Sequence, residues 1–598
     1  MISQEMLKHM QEIVEGCMGD APPYCEATCP MHTDVKGYVN LIAEGKYTEA
    51  ISLIREKLFL PASLGRICAH PCEEKCKREE AFKEPMSIAA LKRFVADYHD
   101  KENLWDLEVS QETEKRIAVI GAGPAGAQAA VDLRKKGYQV TIYEKLPVVG
   151  GMMRVGIPEY RLPREIIDFE YSYLEKLGIE IKLGIEIGKD IGFEELKKQF
   201  DGVILAIGAH KGVVIPIEGH DLEGVINAVD FLREVSMKRA YDIGKRIVVI
   251  GGGNVAIDVA RSARRVGAEE VHLVCLEPKG QMPAHAWEIE EAEEEGVILH
   301  AGFGPKKILG EKNKVVGFEV KKCISVFDQE GKFNPQYDEN FIERYEVDNV
   351  VFAVGQSVDS SLIEGEPIET LRGGRIKVDP LTLQTGVEKV FAAGDVSGRS
   401  VIAIEAMAEG RKAAISMDRY LKGQDLYAER DYEGSYSTWL ETTVKEEEAN
   451  VPREKTRQKP PMERIKSFEE VDLGLTEEQA RKEASRCLKC ECKLCMKECE
   501  MLNDYCTYPK ELFQKIIESG IVEPIIPFSC NMCSQCTIAC PKDYKMQDRF
   551  YDIRKSMVKE NNGKSPMKGH KAIDMHQALG FSKIFNTARP AVKPKGRS

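Results

Sequence analysis

Hydrophobic positions divide the chain into two helical regions around a region of mixed strands and helices. In the first region, apolar residues recur at helical spacing between cysteine-containing loops, as in Val39–Leu58. From about residue 115 to 421, runs of β-branched residues end in glycine, as in Ile117–Ile120, Ile247–Ile250 and Val350–Val354. This alternation predicts an α/β region. A polar stretch over 425–470 predicts a linker, followed by a helix and two cysteine clusters.

Composition and charge narrow the class of protein. The chain has 598 residues, of which 43% are hydrophobic and 30% charged, as expected of a large globular protein. No apolar run approaches the length of a membrane span, and the first ten residues lack a secretory pattern, so we expect a cytoplasmic protein with no membrane span. A net charge of -13 argues against a nucleic-acid partner.

The cysteines lie near the two ends of the chain. Of 18 cysteines, only Cys275 and Cys323 fall outside the segments Cys17–Cys76 and Cys487–Cys540. A disulfide framework would not leave some four hundred central residues almost without cysteine. Short cysteine spacings of this kind are typical of metal or cluster ligands in a reducing compartment.

A glycine-rich turn follows the first predicted strand. Its glycines permit a tight turn, close backbone approach to a pyrophosphate and close helix packing, and the helix N-terminus stabilises negative charge. Glu144 ends the next strand, at the distance where a carboxylate can bind ribose hydroxyls. Taken alone, the pattern is as well explained by an ordinary glycine turn. The residues of this first cradle are Gly121, Gly123, Pro124, Ala125 and Gly126.

The same unit occurs a second time. The strand Arg246–Ile250 leads into a second cradle, formed by Gly251, Gly253, Asn254, Val255 and Ala256. Two cradles in one chain predict two dinucleotides. A later strand ends in Gly394 and Asp395, where the aspartate is positioned to bind a ribityl chain.

The segment Gly150–Pro163, with the sequence GGMMRVGIPEYRLP, resembles the signature of the glutamate synthase small-subunit family. That family includes the NADPH-oxidising part of dihydropyrimidine dehydrogenase. The resemblance implies that the first cradle with Glu144, Arg161 and Asp395 holds FAD, and that the second holds a nicotinamide nucleotide in an inserted domain. The further cofactor-binding positions expected from it are Gly151, Met152, Gly208, Gly355 and Gly394.

The implied fold is two Rossmann-like domains flanked by helical iron–sulfur domains. In chain order we expect an N-terminal helical iron–sulfur domain (1–111), a first FAD-binding part (112–240), an NAD(P)-binding domain (241–349), a second FAD-binding part (350–424), the linker (425–470) and a C-terminal two-cluster ferredoxin-like domain with its tail (471–598).

The nucleotide preference depends on the residues after the second nucleotide strand. NADPH-using members of the resembled family carry two arginines there, whereas this chain has Leu276 and Glu277. A carboxylate repels a 2′-phosphate and accepts hydrogen bonds from a free diol, which favours NADH. Lys279 and Arg261 remain alternatives that would serve a phosphate, and Glu277 is otherwise a solvated surface carboxylate.

The C-terminal cysteines contain a bacterial ferredoxin run. Cys530, Cys533, Cys536 and Cys540 have its spacing, in which the fourth cysteine ligates the other cluster of a pair. The expected ligands are Cys487, Cys490 or Cys492, Cys495 and Cys540 for one [4Fe-4S] cluster, and Cys499, Cys530, Cys533 and Cys536 for the other. Cys506 has no assigned role. The segment is similar to the small ferredoxin-like subunit of heterodisulfide reductases.

The N-terminal cysteines resemble the two-cluster helical module of the same oxidoreductase family. The resemblance implies one cluster on Cys17, Asp20, Cys25 and Cys76, and a second on Cys29, Cys68 and Cys72, with the alternative that only one forms. Asp20 stands where the family has a cysteine. Lys92 stands where dihydropyrimidine dehydrogenase has a glutamine ligand, and a lysine ammonium is a poor ligand.

These features predict an oxidoreductase that transfers hydride between NADH and FAD and passes electrons to [4Fe-4S] clusters. No cysteine lies between Cys76 and Cys275, so the flavin has no internal dithiol to reduce. Hydride transfer to FAD requires no catalytic side chain. We expect a partner, a ferredoxin or a cysteine-rich heterodisulfide reductase-like subunit, in a hetero-oligomer. The alternatives are an NADPH-dependent glutamate synthase small subunit, a flavin-based bifurcating subunit, and an electron-wire subunit with a vestigial nucleotide site.

Overall fold

The computed structural model describes residues 3–99, 105–237, 243–398, 402–442, 444, 448 and 451–585. The chain forms two compact units. The larger comprises Tyr24–Ser437 and Val444–Leu488, and the smaller comprises Met1–Pro23, Thr438–Thr443 and Lys489–Ser598. The expected domain 1–111 is therefore divided, because its first residues belong to the smaller unit together with most of the C-terminal cysteines.

The larger unit contains a first sheet of five parallel strands. Its order is Val390–Ala392, Gly202–Leu205, Arg116–Ile120, Gln139–Glu144 and Glu180–Leu183. The helices connected to it are Pro124–Lys135, Met152–Val155, Arg164–Lys176, Phe193–Gln199 and Ala403–Leu421. The central strand is buried from Ile117 to Ile120, as its run of β-branched residues predicts.

A second parallel sheet is inserted between strands of the first. Its order is Val225–Asn227, Asn349–Phe352, Arg246–Ile250, Glu270–Cys275 and Val297–Ala301, with helices Ala228–Ser236, Asn254–Arg265 and Ala286–Glu294. An antiparallel sheet of Phe303–Glu311, Lys314–Phe327 and Phe333–Tyr345 follows. Since the first sheet takes its edge strand from after this insertion, the predicted α/β class with one nucleotide-type domain inserted in another is confirmed.

The N-terminal part of the larger unit is helical and shares a core with the first sheet. Its helices are Tyr24–Thr28, Val35–Ala43, Tyr47–Arg55, Pro61–Ile67, Pro71–Glu74, Lys77–Phe82 and Ile88–His99. The helical pattern of Val39–Leu58 is split into two helices because Gly45 adopts φ +77°, a left-handed conformation that ends the first of them. Ile42 and Leu64 belong to the same buried cluster as Ile117 of the sheet.

The predicted linker 425–470 is anchored by buried arginines in the part that the structure describes. The Arg430 guanidinium donates to Ser416 and pairs with Glu433, and the Arg464 guanidinium pairs with Glu294 at 2.8 Å. Two short strands, Arg457–Gln458 and Asp472–Gly474, pair with each other. The helix Pro461–Arg464 lies between them in the chain, and the helix Glu477–Ser485 comes after them. Residues 443, 445–447, 449 and 450 lie outside the described residues.

The smaller unit is helical. Its helices are Gln4–Gly16, Leu494–Lys497, Glu500–Tyr505, Pro509–Ser519, Ile525–Ser529, Gln535–Ile538, Met546–Glu560 and Lys571–Gly580. Met10 and Ile13 of the first helix pack in one core with Phe513, Ile516 and Phe550. Among the described residues, none of the helices has the length and apolar character needed to cross a bilayer.

Candidate functional site

The first cradle connects the strand Arg116–Ile120 to the helix Pro124–Lys135. Gly121 has φ +108°, which favours glycine, and a Cβ on Gly126 would overlap the carbonyl oxygen of Gly121. A Cβ on Gly123 would meet only Gly151, at 3.8 Å, so the space in front of this residue is open. These three glycines therefore occupy the positions that a tight turn, close backbone approach and close helix packing require.

Glu144 lies at the end of the neighbouring strand, and its carboxylate is fixed by backbone groups. It accepts hydrogen bonds from the N–H of Ala122 and of Leu146, each at 2.8 Å. Burial raises the pKa of Glu144, and these two hydrogen bonds oppose the rise. The arrangement holds an acceptor at the carboxyl end of the strand, where a ribose diol would donate to it.

The second cradle has the same turn with different surroundings. Gly251 has φ +145°, and a Cβ on Gly253 would meet no atom within 4 Å. Glu277 lies directly beside this turn, since a Cβ on Gly252 would come 2.8 Å from its Oε2. Asn254 accepts a hydrogen bond at its side-chain oxygen from the N–H of His285, which fixes the start of the helix.

One cavity of about 320 Å³ is lined from both cradles. Asn254 and Val255 of the second cradle face the same space as the first cradle. The predicted residues that line it are Gly121, Gly123, Pro124, Ala125, Glu144, Gly151, Met152, Arg161, Gly208, Asn254, Val255, Gly394 and Asp395. Gly126, Gly251, Gly253, Ala256, Glu277 and Gly355 lie outside its lining.

Arg161 lines this cavity, but its guanidinium is committed to carboxylates of the inserted domain. It donates to both oxygens of Asp258 at 2.8 and 2.9 Å and to Glu288 at 2.6 Å. Burial lowers the pKa of Arg161, but the two carboxylates raise it by more, so the pKa lies above its usual value. The side chain expected at FAD therefore connects the two nucleotide-type domains.

The two cations considered as alternatives for a 2′-phosphate are also paired. Arg261 is buried and donates to Glu295 at 2.7 and 3.1 Å and to Glu291 at 2.6 Å. Lys279 pairs with Glu293 at 2.7 Å. The charges of Arg261 and Lys279 are therefore both paired with carboxylates other than Glu277.

One member of a group of N-terminal thiols directly follows a residue that lines the cavity. Burial raises the pKa of Cys72 well above its usual value, and the neighbouring Cys29 and Cys68 add to the rise while Lys92 opposes it. Cys29, Cys68 and Cys72 are thus neighbours, and the buried Lys92 lies beside them. Ile67, which precedes Cys68 in the chain, lines the cavity itself.

The remaining cysteines are distributed between the two units. Cys25, Cys76 and Cys487 pack against the core of the larger unit. In the smaller unit, Cys17, Cys492, Cys495 and Cys540 are near neighbours, and a second group comprises Cys499, Cys530, Cys533 and Cys536. Cys490 also belongs to the smaller unit.

Two expected ligands have contacts within the smaller unit. Cys17 belongs to this unit, where its helix packs on the C-terminal helices, whereas Cys25 and Cys76 belong to the larger unit. Asp20 forms an ion pair with Lys510 at 2.5 Å. In the described part of the chain, no three acidic, histidine or cysteine side chains converge on the position of a single ion.

His210 and Ile67 line the cavity without having been predicted. The Nδ1 atom of His210 is buried and has no hydrogen-bond partner in the described structure. Burial and the nearby Lys145 and Arg233 lower the pKa of His210 to about 4, so the ring is neutral. His210 follows Gly208 after a strand, a position that a search for glycine-rich turns does not test. Ile67 carries no signal in the sequence beyond its place before Cys68.

Two family models match the chain. The pyridine nucleotide-disulphide oxidoreductase model matches residues 115–410, which contain both cradles. The model described as dihydropyrimidine dehydrogenase domain II with a 4Fe-4S cluster matches residues 3–104 and 464–550, which contain the terminal cysteines.

Three curated relatives align with this chain over most of their own length. The chain is 40% identical over 499 residues to the NADP(+)-dependent formate dehydrogenase subunit beta of Moorella thermoacetica, covering 78% of this chain and 70% of the relative. It is 32% identical over 424 residues to the glutamate synthase [NADPH] small chain of Halomonas elongata, covering 68% and 89%. It is 33% identical over 408 residues to the NAD-dependent dihydropyrimidine dehydrogenase subunit PreT of Escherichia coli, covering 68% and 92%.

Proposed function

The chain belongs to the family of NAD(P)H-dependent flavin and iron–sulfur oxidoreductases that includes the small chain of glutamate synthase, and from this premise we propose that it oxidises NADH and delivers the electrons to an iron–sulfur partner protein. When bound, FAD supplies the chemistry by accepting a hydride and releasing electrons singly. The residues of the chain supply binding, orientation and exclusion of water.

The observation that carries the proposal is the shared cavity. Hydride transfer requires two rings to be held face to face, and the protein contributes by holding them in that orientation. Gly123 and Glu144 of the first cradle, and Asn254 and Val255 of the second, line one space. Two dinucleotides bound in these cradles would have their reactive ends in that space.

The exit for electrons is proposed at the N-terminal thiols. Ile67 lines the cavity and Cys68 follows it directly, with Cys29 and Cys72 as neighbours of that thiol. A cluster held by these three cysteines would lie against the wall of the flavin cavity. The helix Pro61–Ile67 that carries Ile67 is held at its N-terminus by Glu170, whose buried carboxylate accepts from the N–H groups of Ala62 and Ser63.

NADH is proposed over NADPH because of the charges around the second cradle. Glu277 lies beside Gly252, and the nearby Arg261 and Lys279 are paired with other carboxylates. The Moorella and Halomonas relatives are named for NADP(H) and the Escherichia relative for NAD, so the family contains both preferences. NADPH is therefore the competing donor to be tested.

A protein partner is proposed because the relatives are named as subunits or as a small chain. A ferredoxin or a cysteine-rich subunit similar to those of heterodisulfide reductases fits the terminal cysteines, since single electrons leave through iron–sulfur centres.

The test is anaerobic mixing of the flavin-loaded, iron-loaded protein with each nucleotide. We expect NADH to bleach the visible absorbance of the flavin at concentrations where NADPH does not. Equal bleaching by both would overturn the nucleotide assignment, and bleaching by neither would overturn the proposed activity in favour of an electron-wire subunit.

A further inference from the structure

The first cysteine run of the smaller unit lacks one member. In the second run, Cys530, Cys533, Cys536 and Cys540 follow the full ferredoxin spacing. The same spacing counted back from Cys499 passes through Cys495 and Cys492 and then reaches Lys489. Lys489 is exposed. Cys490 is out of register by one residue, so the first run supplies three of the four sulfurs that its spacing requires.

A sulfur from the other end of the chain lies at this run. Cys17 packs against the core of the smaller unit that contains Cys495. The neighbouring sulfurs of Cys495 are those of Cys17, Cys540 and Cys492 and, last in order, that of Cys536, which is grouped with Cys499, Cys530 and Cys533. Cys492 has the same neighbours in Cys17 and Cys540. The four sulfurs therefore form one group, which contains the cross-contributed fourth cysteine of the second run.

The local structure brings Cys17 to this position. The helix Gln4–Gly16 packs through Met10 and Ile13 on the helix Pro509–Ser519, and Cys17 caps its C-terminal end. Gly19 allows close approach there, because a Cβ on it would lie 2.5 Å from the Cβ of Tyr508. A Cβ on the preceding Gly16 would overlap the hydroxyl of Tyr544, so this end of the helix lies against the segment that follows Cys540.

We propose that Cys17, Cys492, Cys495 and Cys540 hold one [4Fe-4S] cluster of the smaller unit, and that Cys499, Cys530, Cys533 and Cys536 hold the other. The inference rests on the proposed function only in treating the chain as an iron–sulfur protein. It assigns an N-terminal cysteine to a C-terminal cluster, and it leaves Cys487 and Cys490 outside this pair.

Two neighbouring side chains are excluded by their own contacts. Asp20 is paired with Lys510 at 2.5 Å. The thiol of Cys506 donates to the carbonyl oxygen of Leu502 at 3.3 Å, and Cys506 falls outside the ferredoxin spacing of both cysteine runs. Asp20→Asn and Cys506→Ser are therefore matched controls for Cys17→Ser in the same unit.

The test compares iron, acid-labile sulfide and EPR spectra of the reduced full-length protein. We expect Cys17→Ser to lose about four irons per chain, one cubane, and the same EPR signal that Cys492→Ser loses. Asp20→Asn and Cys506→Ser keep the full complement. Full iron in Cys17→Ser, or loss of the signal that Cys25→Ser removes, overturns the proposal, as does iron loss in either control.

A second variant covers the case in which Cys17→Ser does not fold. Cys17→Asp keeps an anionic ligand, so we expect iron to be retained and one EPR signal to change shape, the same signal that Cys492→Asp changes. A changed signal shared with Cys25→Asp contradicts the assignment. Flavin bleaching by NADH is recorded on the same wild-type samples, so failure of the proposed function is seen separately from failure of the ligand set.

Discussion

The two cradles of the larger unit show how one turn is used in two ways. Both join a buried strand to a helix through glycines with positive φ, at Gly121 and Gly251. They differ at the third position, which is Gly126 in the first and Ala256 in the second. They differ also in the carboxylate, because Glu144 is held by two backbone N–H groups whereas Glu277 is placed beside the turn. Helix packing therefore restricts the first cradle more than the second.

The largest effect is expected from making the first cradle resemble the second. Gly126→Ala places a Cβ against the carbonyl oxygen of Gly121 and within 3.2 Å of the Cβ of Ala206. Backbone on one side and a packed strand on the other leave little room, so we expect about 1–3 kcal/mol of destabilisation and loss of bound flavin. Flavin content and thermal unfolding are the measurements. Normal flavin content in this variant would show that the cradles are equivalent.

The next effect separates nucleotide binding from stability in the second cradle. Gly253→Ala adds a Cβ to open space, so folding and flavin content are unchanged. The same methyl blocks close approach of a pyrophosphate, and we expect kcat/KM for NADH to fall roughly a hundredfold. Gly569→Ala, which also adds a Cβ to open space, is the control. An unaltered kcat/KM would place the nucleotide elsewhere.

A smaller effect tests the carboxylate of the second cradle. Glu277→Gln removes the charge while keeping the shape, and a charge-assisted hydrogen bond is worth about 1.5–3 kcal/mol. We expect kcat/KM for NADH to fall at least about tenfold, with that for NADPH unchanged or higher. Steady-state rates with both nucleotides give the result. Equal losses for the two would mean that Glu277 does not contact the ribose diol.

The smallest effect comes from the reverse exchange at the third position. Ala256→Gly gives the second cradle the glycine of the first without adding any atom. Ala256 is buried in the first turn of its helix, so the cost is the helix propensity of glycine, about 1 kcal/mol. Chemical unfolding measures it, and NADH kinetics stay close to wild type. A large kinetic change would show that the second cradle is as tightly restricted as the first.

The sequence predicts the local parts of this site and not its long-range pairings. The glycines and Glu144 follow from a turn whose geometry is set by a few consecutive residues. Arg161 was expected at FAD but pairs with Asp258, about a hundred residues away, and spacing carries no information on such a contact. The family resemblance groups Cys17 with Cys25, and spacing likewise carries no information on the packing of the helix Gln4–Gly16, which brings Cys17 to the core that contains Cys495.

The helical pattern of Val39–Leu58 shows a further limit of prediction from the sequence. Val39–Leu58 has apolar residues at helical spacing throughout, yet Gly45 divides it, since its positive φ ends one helix before the next begins. Periodicity reports which face is buried and not where the backbone turns.

Ile67 lines the cavity only because the helix Pro61–Ile67 packs against the first sheet, which no local pattern records.

We propose that electrons from NADH pass through the flavin in the shared cavity to a cluster held by Cys29, Cys68 and Cys72. The most direct test of this proposal is an anaerobic NADH titration followed by flavin absorbance and EPR, in the wild type and in Cys72→Ser. We expect NADH to bleach the flavin of both proteins and one reduced-cluster EPR signal of the wild type to be missing from the variant. Bleaching of the wild type without any reduced cluster would contradict the proposal.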